Sequence, residues 1–152
     1  MKHNETKIEQ LTEEQMLFNT VYTHLVRQGG PAGRFDADDF FVCEYRDARG
    51  QRCAVGFLIP DDVYGPELEN QPVEMLIRTA MRGELEARQN EFFKSLEPHA
   101  SLLMDMQAAH DQFRRMVDDG KFKGAWTEWL QTRFASIAKN HNLDASILEE
   151  VV

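Results

Sequence analysis

Hydrophobic residues recur every three or four positions along most of this 152-residue chain, and that spacing predicts a largely helical protein. Thr12 and Gln15 stand at the spacing of a capping box at the start of the first helical stretch. Gly29, Gly30 and Pro31 end it, because they favour a left-handed turn and then remove a backbone donor. The predicted helices cover residues 12–28, 72–82, 85–96, 98–117, 124–140 and 144–150.

The apolar period changes to two over residues 40–59, which predicts a β-hairpin. A loop at residues 48–50, with Gly50 in the left-handed conformation, closes this hairpin. The paired positions are then Asp47 with Gln51, Tyr45 with Cys53, Cys43 with Val55 and Phe41 with Phe57. This register separates apolar from polar side chains, whereas a shift of one residue places Cys43 and Cys53 on opposite faces.

These patterns predict an α+β fold that is mostly α, with one antiparallel β-hairpin packed against roughly four to six helices. A chain of this length with 42% hydrophobic residues is large enough to bury one core. We therefore expect residues 11–152 to form a single globular domain. Residues 1–10 have no apolar periodicity and are expected to be disordered or frayed.

The expected location is the cytoplasm. The first fifteen residues contain no apolar run of the kind found in signal peptides, and no stretch approaches the ~20 apolar residues of a membrane span. The two cysteines, Cys43 and Cys53, are then expected to be free thiols in a reducing compartment.

The net charge of −9 argues against direct binding of nucleic acid, which requires lysines and arginines to displace counterions from phosphates. The acidic excess is greatest in residues 61–100, where Asp61, Asp62, Glu67 and Glu69 crowd a predicted loop. This loop is a candidate for binding a basic partner or for imitating phosphates. The simpler interpretation is a solvated loop that promotes solubility.

Three arginines, Arg46, Arg49 and Arg52, surround the predicted tip of the hairpin. Guanidinium groups bind phosphates and carboxylates, so these residues are candidates for gripping a partner. Charged residues on a hairpin also prevent edge-to-edge pairing of strands, and this second interpretation remains open.

Cys43, Cys53 and His110 are candidate zinc ligands, because thiolates and imidazoles are the donors that zinc prefers. Asp111, His99 or a water is the candidate fourth ligand. The nine residues between the cysteines exceed the spacing of a zinc knuckle. The favoured interpretation is that both cysteines are small core residues and that no cofactor is bound.

The same residues raise the hypothesis of a cysteine nucleophile activated by His110. Asp111 follows His110 directly and points about 100° away around a helix, so we do not expect it to reach the same imidazole. Burial also raises the pKa of a thiol, which opposes nucleophilic reactivity.

The His-Asp pair occurs in metal-dependent phosphohydrolases as well, although those enzymes need further histidines and aspartates. Phosphate-binding loops, a nucleophile elbow and a His-Glu-x-x-His pair are all absent from the sequence.

Two motifs resemble a family of small tailed-phage and prophage proteins. The first is Cys-x-Tyr-Arg, a loop ending in Gly, and Cys-Ala-Val-Gly-x-Leu-Ile-Pro-Asp-x-x-Tyr, which runs here from Cys43 to Tyr64. The second is Leu-Gln-x-x-His-Asp, which is present at residues 106–111 with Met106 in place of leucine, followed by a helix that begins with Trp126. The resemblance covers roughly residues 12–145. It implies a phage or prophage gene product that acts inside the host cell, and it implies no particular activity.

Three functions are compatible with these observations. Small size, acidic charge and the missing catalytic motifs favour a phage accessory protein that binds a host defence or regulatory protein without catalysis. The alternatives are a structural component of the virion or its assembly, and a metal- or thiol-dependent enzyme centred on Cys43, Cys53 and His110. The oligomeric state is left open by the sequence.

Overall fold

The computed structural model describes residues 11–152 and confirms a mostly helical α+β fold with one two-stranded antiparallel sheet. The predicted frayed segment, residues 1–10, lies outside the described residues. Within residues 11–152, no helix combines the length and the apolar character needed to cross a membrane. The elements are α1 (Glu13–Gln28), β1 (Gly33–Phe35), β2 (Phe41–Cys43), α2 (Ala54–Leu58), α3 (Val73–Met81), α4 (Ala87–Leu96), α5 (Ala100–Asp118), α6 (Trp126–Asn140) and α7 (Ile147–Glu150), with 3₁₀ turns at Pro66–Leu68 and Glu97–His99.

Helix α1 begins and ends where the sequence predicts. The Thr12 hydroxyl accepts a hydrogen bond from the Gln15 amide at 3.0 Å, and Gly29 ends the helix with a left-handed φ of 82°. The Gln15 side chain does not complete the capping box. It bonds instead to Asn19 and to the backbone of Asp144, and so ties the start of α1 to the segment that precedes α7.

The position of the β-hairpin differs from the prediction. Strand β2 pairs with β1, with Gly33 opposite Cys43 and Phe35 opposite Phe41, whereas the sequence pattern predicts pairing with residues 55–57. Only the tip of the predicted hairpin exists. There the Asp47 amide donates a hydrogen bond to the Gln51 carbonyl, and the Cys53 amide donates one to the Tyr45 carbonyl. Gly50 has a φ of 83°.

The second predicted strand is wrong, because the chain enters helix α2 directly after Cys53. The predicted pairs of Cys43 with Val55 and of Phe41 with Phe57 are therefore wrong as well. The Cys53 sulfur accepts a hydrogen bond from the Gly56 amide at 3.3 Å and caps the helix. Local capping and the burial of Ala54 and Val55 stabilise one and a half helical turns where the apolar alternation suggests a strand.

Helix α5 lies at the centre of the fold and packs against α1, α2, α3 and α6. Trp126 and Trp129 on α6 are buried, as their helical spacing predicts. Each indole also donates a hydrogen bond of 2.7 Å to a backbone carbonyl, that of Leu25 for Trp126 and that of Ala109 for Trp129. The two tryptophans therefore join α6 to α1 and α5 by polar as well as apolar contacts. The buried side chains form one core cluster.

A pH-dependent contact joins the start of α1 to the turn before α5. His99 Nδ1 lies 2.8 Å from a Glu14 carboxylate oxygen, and His99 Nε2 lies 2.8 Å from a Glu13 carboxylate oxygen. Both ring nitrogens donate to carboxylates, so the imidazole carries a positive charge. The hydrogen bond to Glu14, supported by that to Glu13, raises the pKa of His99 although partial burial opposes the rise.

We expect this contact to stabilise the protein at mildly acidic pH. Because the pKa of His99 is higher in the folded state, the stabilisation is complete below the unfolded pKa of about 6.5 and disappears as the pH rises through the folded value. The His99→Gln variant should lose roughly 1 kcal/mol or less at pH 6 and progressively less towards pH 9. Urea unfolding of the wild type and the variant across this range measures the difference. A constant difference would show that His99 contributes through packing alone.

Candidate functional site

His110 is fully buried on α5, and the structure defines its tautomer. The backbone amide of Ala32 donates a hydrogen bond of 2.9 Å to His110 Nε2, so this nitrogen must be unprotonated. Nδ1 lies 2.8 Å from a carboxylate oxygen of Asp111 and donates its proton there. Both ring nitrogens of a neutral imidazole are thus occupied by hydrogen bonds within the protein.

The expectation that Asp111 cannot reach the imidazole of His110 is wrong. The side chains of consecutive helical residues leave the axis about 100° apart, but Nδ1 is close to the backbone and the aspartate side chain is short. The two side chains therefore tilt towards each other, and Nδ1 and the carboxylate oxygen come within hydrogen-bond distance. Asp111 is partly exposed at 42%, so one end of this buried pair remains in contact with solvent.

Gln107 extends this arrangement by one turn of α5. Its amide nitrogen donates to Asp111 at 2.8 Å, and its oxygen accepts from the Val55 amide at 2.9 Å. The Val55 amide is in the first turn of α2, where backbone donors have no partner within the helix. A continuous series of hydrogen bonds, which we call the α5 relay, therefore runs from Val55 through Gln107, Asp111 and His110 to Ala32.

Cys43 completes a potential metal-binding group with His110 and Asp111, whose ligand atoms all lie within 4.8 Å of one another. The hydrogen bonds of the α5 relay oppose this use. If Nδ1 of His110 bound a metal, Nε2 would carry the proton. The Nε2 proton would then face the Ala32 N–H, and neither donor would have an acceptor. Cys53 is not part of the group, and its sulfur caps α2 instead.

The remaining candidates for thiol or metal chemistry are also engaged elsewhere. His99, a candidate fourth ligand, is bound to the two glutamates at the start of α1. Burial raises the pKa of the Cys43 thiol, and the neighbouring Asp111 carboxylate raises it further. Burial likewise raises the pKa of Cys53. Both cysteines are free thiols, and both are protonated at neutral pH, which opposes nucleophilic attack.

Much of the charge on the predicted acidic loop is paired within the protein. Asp61 lies 2.9 Å from Arg46 and 3.3 Å from Arg52, and Asp62 lies 2.8 Å from Arg88. Each of these contacts is exposed on at least one side, so each contributes little to stability. They nevertheless reduce the net negative charge that the loop presents to a partner.

Glu67 and Glu69 have different surroundings. Glu67 accepts a hydrogen bond from Gln89 at 2.9 Å, and this bond lowers the pKa of the glutamate. Glu69 folds back over the first motif and accepts hydrogen bonds from the amides of Tyr45 and Arg46 and from the Tyr64 hydroxyl. Glu69 also lines a surface cleft, and it is the one member of the predicted acidic loop that does so.

This feature, which we call the acidic cleft, has a volume of about 500 Å³ and lies between β2, α5 and the start of α3. Four carboxylates line it, from Glu44, Glu69, Glu74 and Asp111, and no lysine or arginine of residues 11–152 does. Apolar side chains, including Val42 and Met104, line the rest. Glu44 and Glu74 give no shared signal in the sequence, because they are 30 positions apart and come together only where β2 and α3 both pack against α5.

The three arginines of the predicted hairpin tip separate into two groups. Arg46 and Arg52 contact Asp61, and Arg46 also donates to the Ile59 carbonyl at 2.7 Å. Arg49 bonds to Asp47 and Gln51 and lines a second groove, next to α1. The tip is therefore not one three-arginine site.

No protein-family model, curated protein or solved structure significantly matches this chain. The resemblance to tailed-phage proteins consequently stays a prediction based on the two sequence motifs.

Proposed function

We propose that the protein is a small accessory protein of phage or prophage origin that binds a host protein without catalysis, and that a basic segment of that host protein enters the acidic cleft. The observation that carries this proposal is the concentration of four carboxylates in one cleft whose lining includes no lysine or arginine of residues 11–152. A cleft of this size is within the usual range for a specific binding site.

The electrostatics of the cleft favour a cationic occupant. Burial raises the pKa of Glu44, and the neighbouring Glu69 carboxylate raises it further, even though Arg34, which does not line the cleft, lies 3.6 Å from the Glu44 carboxylate. The negative charge of Glu69 therefore disfavours that of Glu44 in the free protein. A lysine or arginine head group that enters the cleft relieves this repulsion, and the gain contributes to binding.

The apolar part of the cleft favours a side chain over a simple ion. Lysine and arginine carry their charge at the end of a hydrocarbon stem that packs on apolar surfaces. Val42 and Met104 offer such a surface beside the carboxylates. This combination suits a basic peptide segment, in which neighbouring residues add further contacts.

The alternative of a metal- or thiol-dependent enzyme receives less support from the same residues. Its histidine has no free nitrogen, and the pKa of each of its two thiols is raised. General acid–base or nucleophilic catalysis needs the opposite arrangement, with a nitrogen or a thiolate directed at a substrate. The His-Asp pair has a complete structural role in the α5 relay.

Binding through the cleft is tested by comparing two double variants that remove the same charge. Glu44→Gln with Glu74→Gln alters the cleft, and Glu91→Gln with Glu149→Gln alters exposed carboxylates elsewhere. Each immobilised protein is incubated with bacterial host lysate at low salt. We expect a host protein that is retained by the wild type and the control, and retained about tenfold less by the cleft variant.

Two further results are required for support. A lysine-rich peptide should displace the retained protein, and raising the salt concentration should weaken its binding. Equal retention by both double variants would overturn the role of the cleft. If arginine or a polyamine binds the cleft in calorimetry but no host protein is retained selectively, the proposed partner is wrong and the cleft binds small organic cations.

A further inference from the structure

A second groove, which we call the arginine groove, lies between α1 and the turn before α2. Its volume is about 700 Å³, and none of its lining residues is acidic, although the whole chain has a net charge of −9. Its residues do not line the acidic cleft, so the two sites are separate.

From this groove we infer a binding site for a small organic phosphate that carries a planar ring. Arg27 on α1 and Arg49 on the turn contribute two guanidinium groups from separate elements. Guanidinium groups match the geometry of phosphate oxygens and form charge-assisted hydrogen bonds with them. Thr20 and Thr23 add hydroxyl donors on the same face of α1 as Arg27.

The two arginines differ in a way that suits a binding site. Arg27 is exposed and has no ion pair or hydrogen bond with any residue in the part of the chain that the structure describes, so its charge is available. Arg49 is held in place, because its guanidinium bonds to Gln51 at 2.8 Å and to Asp47 at 3.3 Å while 65% of the side chain stays exposed. The turn itself is fixed by the Asp47 carboxylate, which accepts hydrogen bonds from the backbone amides of Arg49 and Gln51.

The ring-binding part of the site is provided by Phe57 and His24. The His24 ring stacks on the Phe57 ring with centroids 3.9 Å apart and an angle of 12° between the planes. His24 Nε2 lies 2.9 Å from the Arg52 carbonyl and donates to it, so the orientation of the imidazole is fixed. Phe57 remains 36% exposed and offers an apolar surface beside the two arginines.

The inference is tested with phenyl phosphate, which has one ring and one phosphate group. Titration of ¹⁵N-labelled protein at low salt should shift the amide signals of residues 19–28, 49–51 and 57. Arg27→Gln and Arg49→Gln should each weaken binding by about tenfold, as expected for loss of a charge-assisted hydrogen bond. Arg78→Gln removes one exposed arginine outside the groove and should leave the affinity unchanged.

The control ligands separate phosphate recognition from other causes of binding. Benzoate has the same ring with a carboxylate and should bind more weakly, and inorganic phosphate lacks the ring and should also bind more weakly. Equal affinity of the wild type and the Arg27→Gln variant would overturn the proposal, as would shifts confined to the acidic cleft. Arg27 is exposed and makes no hydrogen bond or ion pair within residues 11–152, so the test does not depend on whether the Arg49 variant folds.

Discussion

Replacing His110 by alanine is expected to lower the free energy of unfolding by about 3 kcal/mol. The variant leaves a cavity at a fully buried position on the central helix α5. It also leaves the Ala32 amide without its acceptor and removes the donor that bonds to Asp111. A buried donor without a partner loses its hydration with no compensation, so the polar loss adds to the cavity. Urea unfolding followed by circular dichroism at pH 7.5 measures the effect.

The His110→Gln variant is the matched control, because a glutamine oxygen at this position can accept from the Ala32 amide. We expect it to be more stable than the alanine variant by about 1 kcal/mol. Equal losses in both variants would show that the acceptor contributes nothing. A rise in the unfolding midpoint on addition of zinc, present in the wild type and absent in both variants, would contradict the tautomer assigned to His110 and restore the metal hypothesis.

The helices could be predicted from the sequence because their signals are local. The apolar spacing that predicts α1, α5 and α6 lies within these helices, and the glycine that ends α1 directly follows it. The β1–β2 pairing could not be predicted in the same way. Strand β1 has three residues, and only one of them is buried, so it gives no alternating pattern. Its pairing depends on Gly33, whose lack of a side chain allows the backbone of Val42 to approach closely.

The sequence predicts only part of the candidate site. The reason differs from the one that applies to the strand pairing. Cys43, His110 and Asp111 do lie together, as their residue types suggest. The role of the histidine is decided by the Ala32 amide, and a backbone amide 78 positions away leaves no trace in a residue pattern. The acidic cleft and the arginine groove likewise combine residues from separate elements. Sequence reasoning thus identifies candidate donors, whereas the fold determines which of them are free.

The two motifs that suggest a phage protein have a structural explanation in this fold. In the first motif, Arg46 lies 4.5 Å from the centre of the Tyr64 ring and contacts Asp61, so residues far apart in the motif pack on one another. In the second, Gln107, His110 and Asp111 form the α5 relay. The relay ends on Val55, which belongs to the first motif. The motifs therefore describe a single folding unit and do not require a catalytic centre.

Replacing Gly56 by alanine is expected to lower the free energy of unfolding by about 2–3 kcal/mol. A Cβ atom at this position in α2 would overlap the backbone carbonyl of Tyr45, which cannot move without breaking the turn that the hairpin tip forms. The direction is opposite to local propensity, since alanine is favoured over glycine in a helix by about 1 kcal/mol. Displacement of α2 should also expose Cys53 and increase its rate of alkylation. Urea unfolding and thiol labelling measure the two effects.

Gly30→Ala is the matched control, because a Cβ atom there meets nothing within 4 Å and the backbone has no left-handed φ. We expect it to change stability by about 0.5 kcal/mol or less, in the stabilising direction. The comparison also distinguishes the helix from the strand that the sequence pattern suggests for residues 54–58. In that strand Gly56 would lie on the outer face of the hairpin, where alanine is tolerated and even favoured over glycine. A Gly56→Ala variant as stable as Gly30→Ala would therefore contradict α2 and support the longer hairpin.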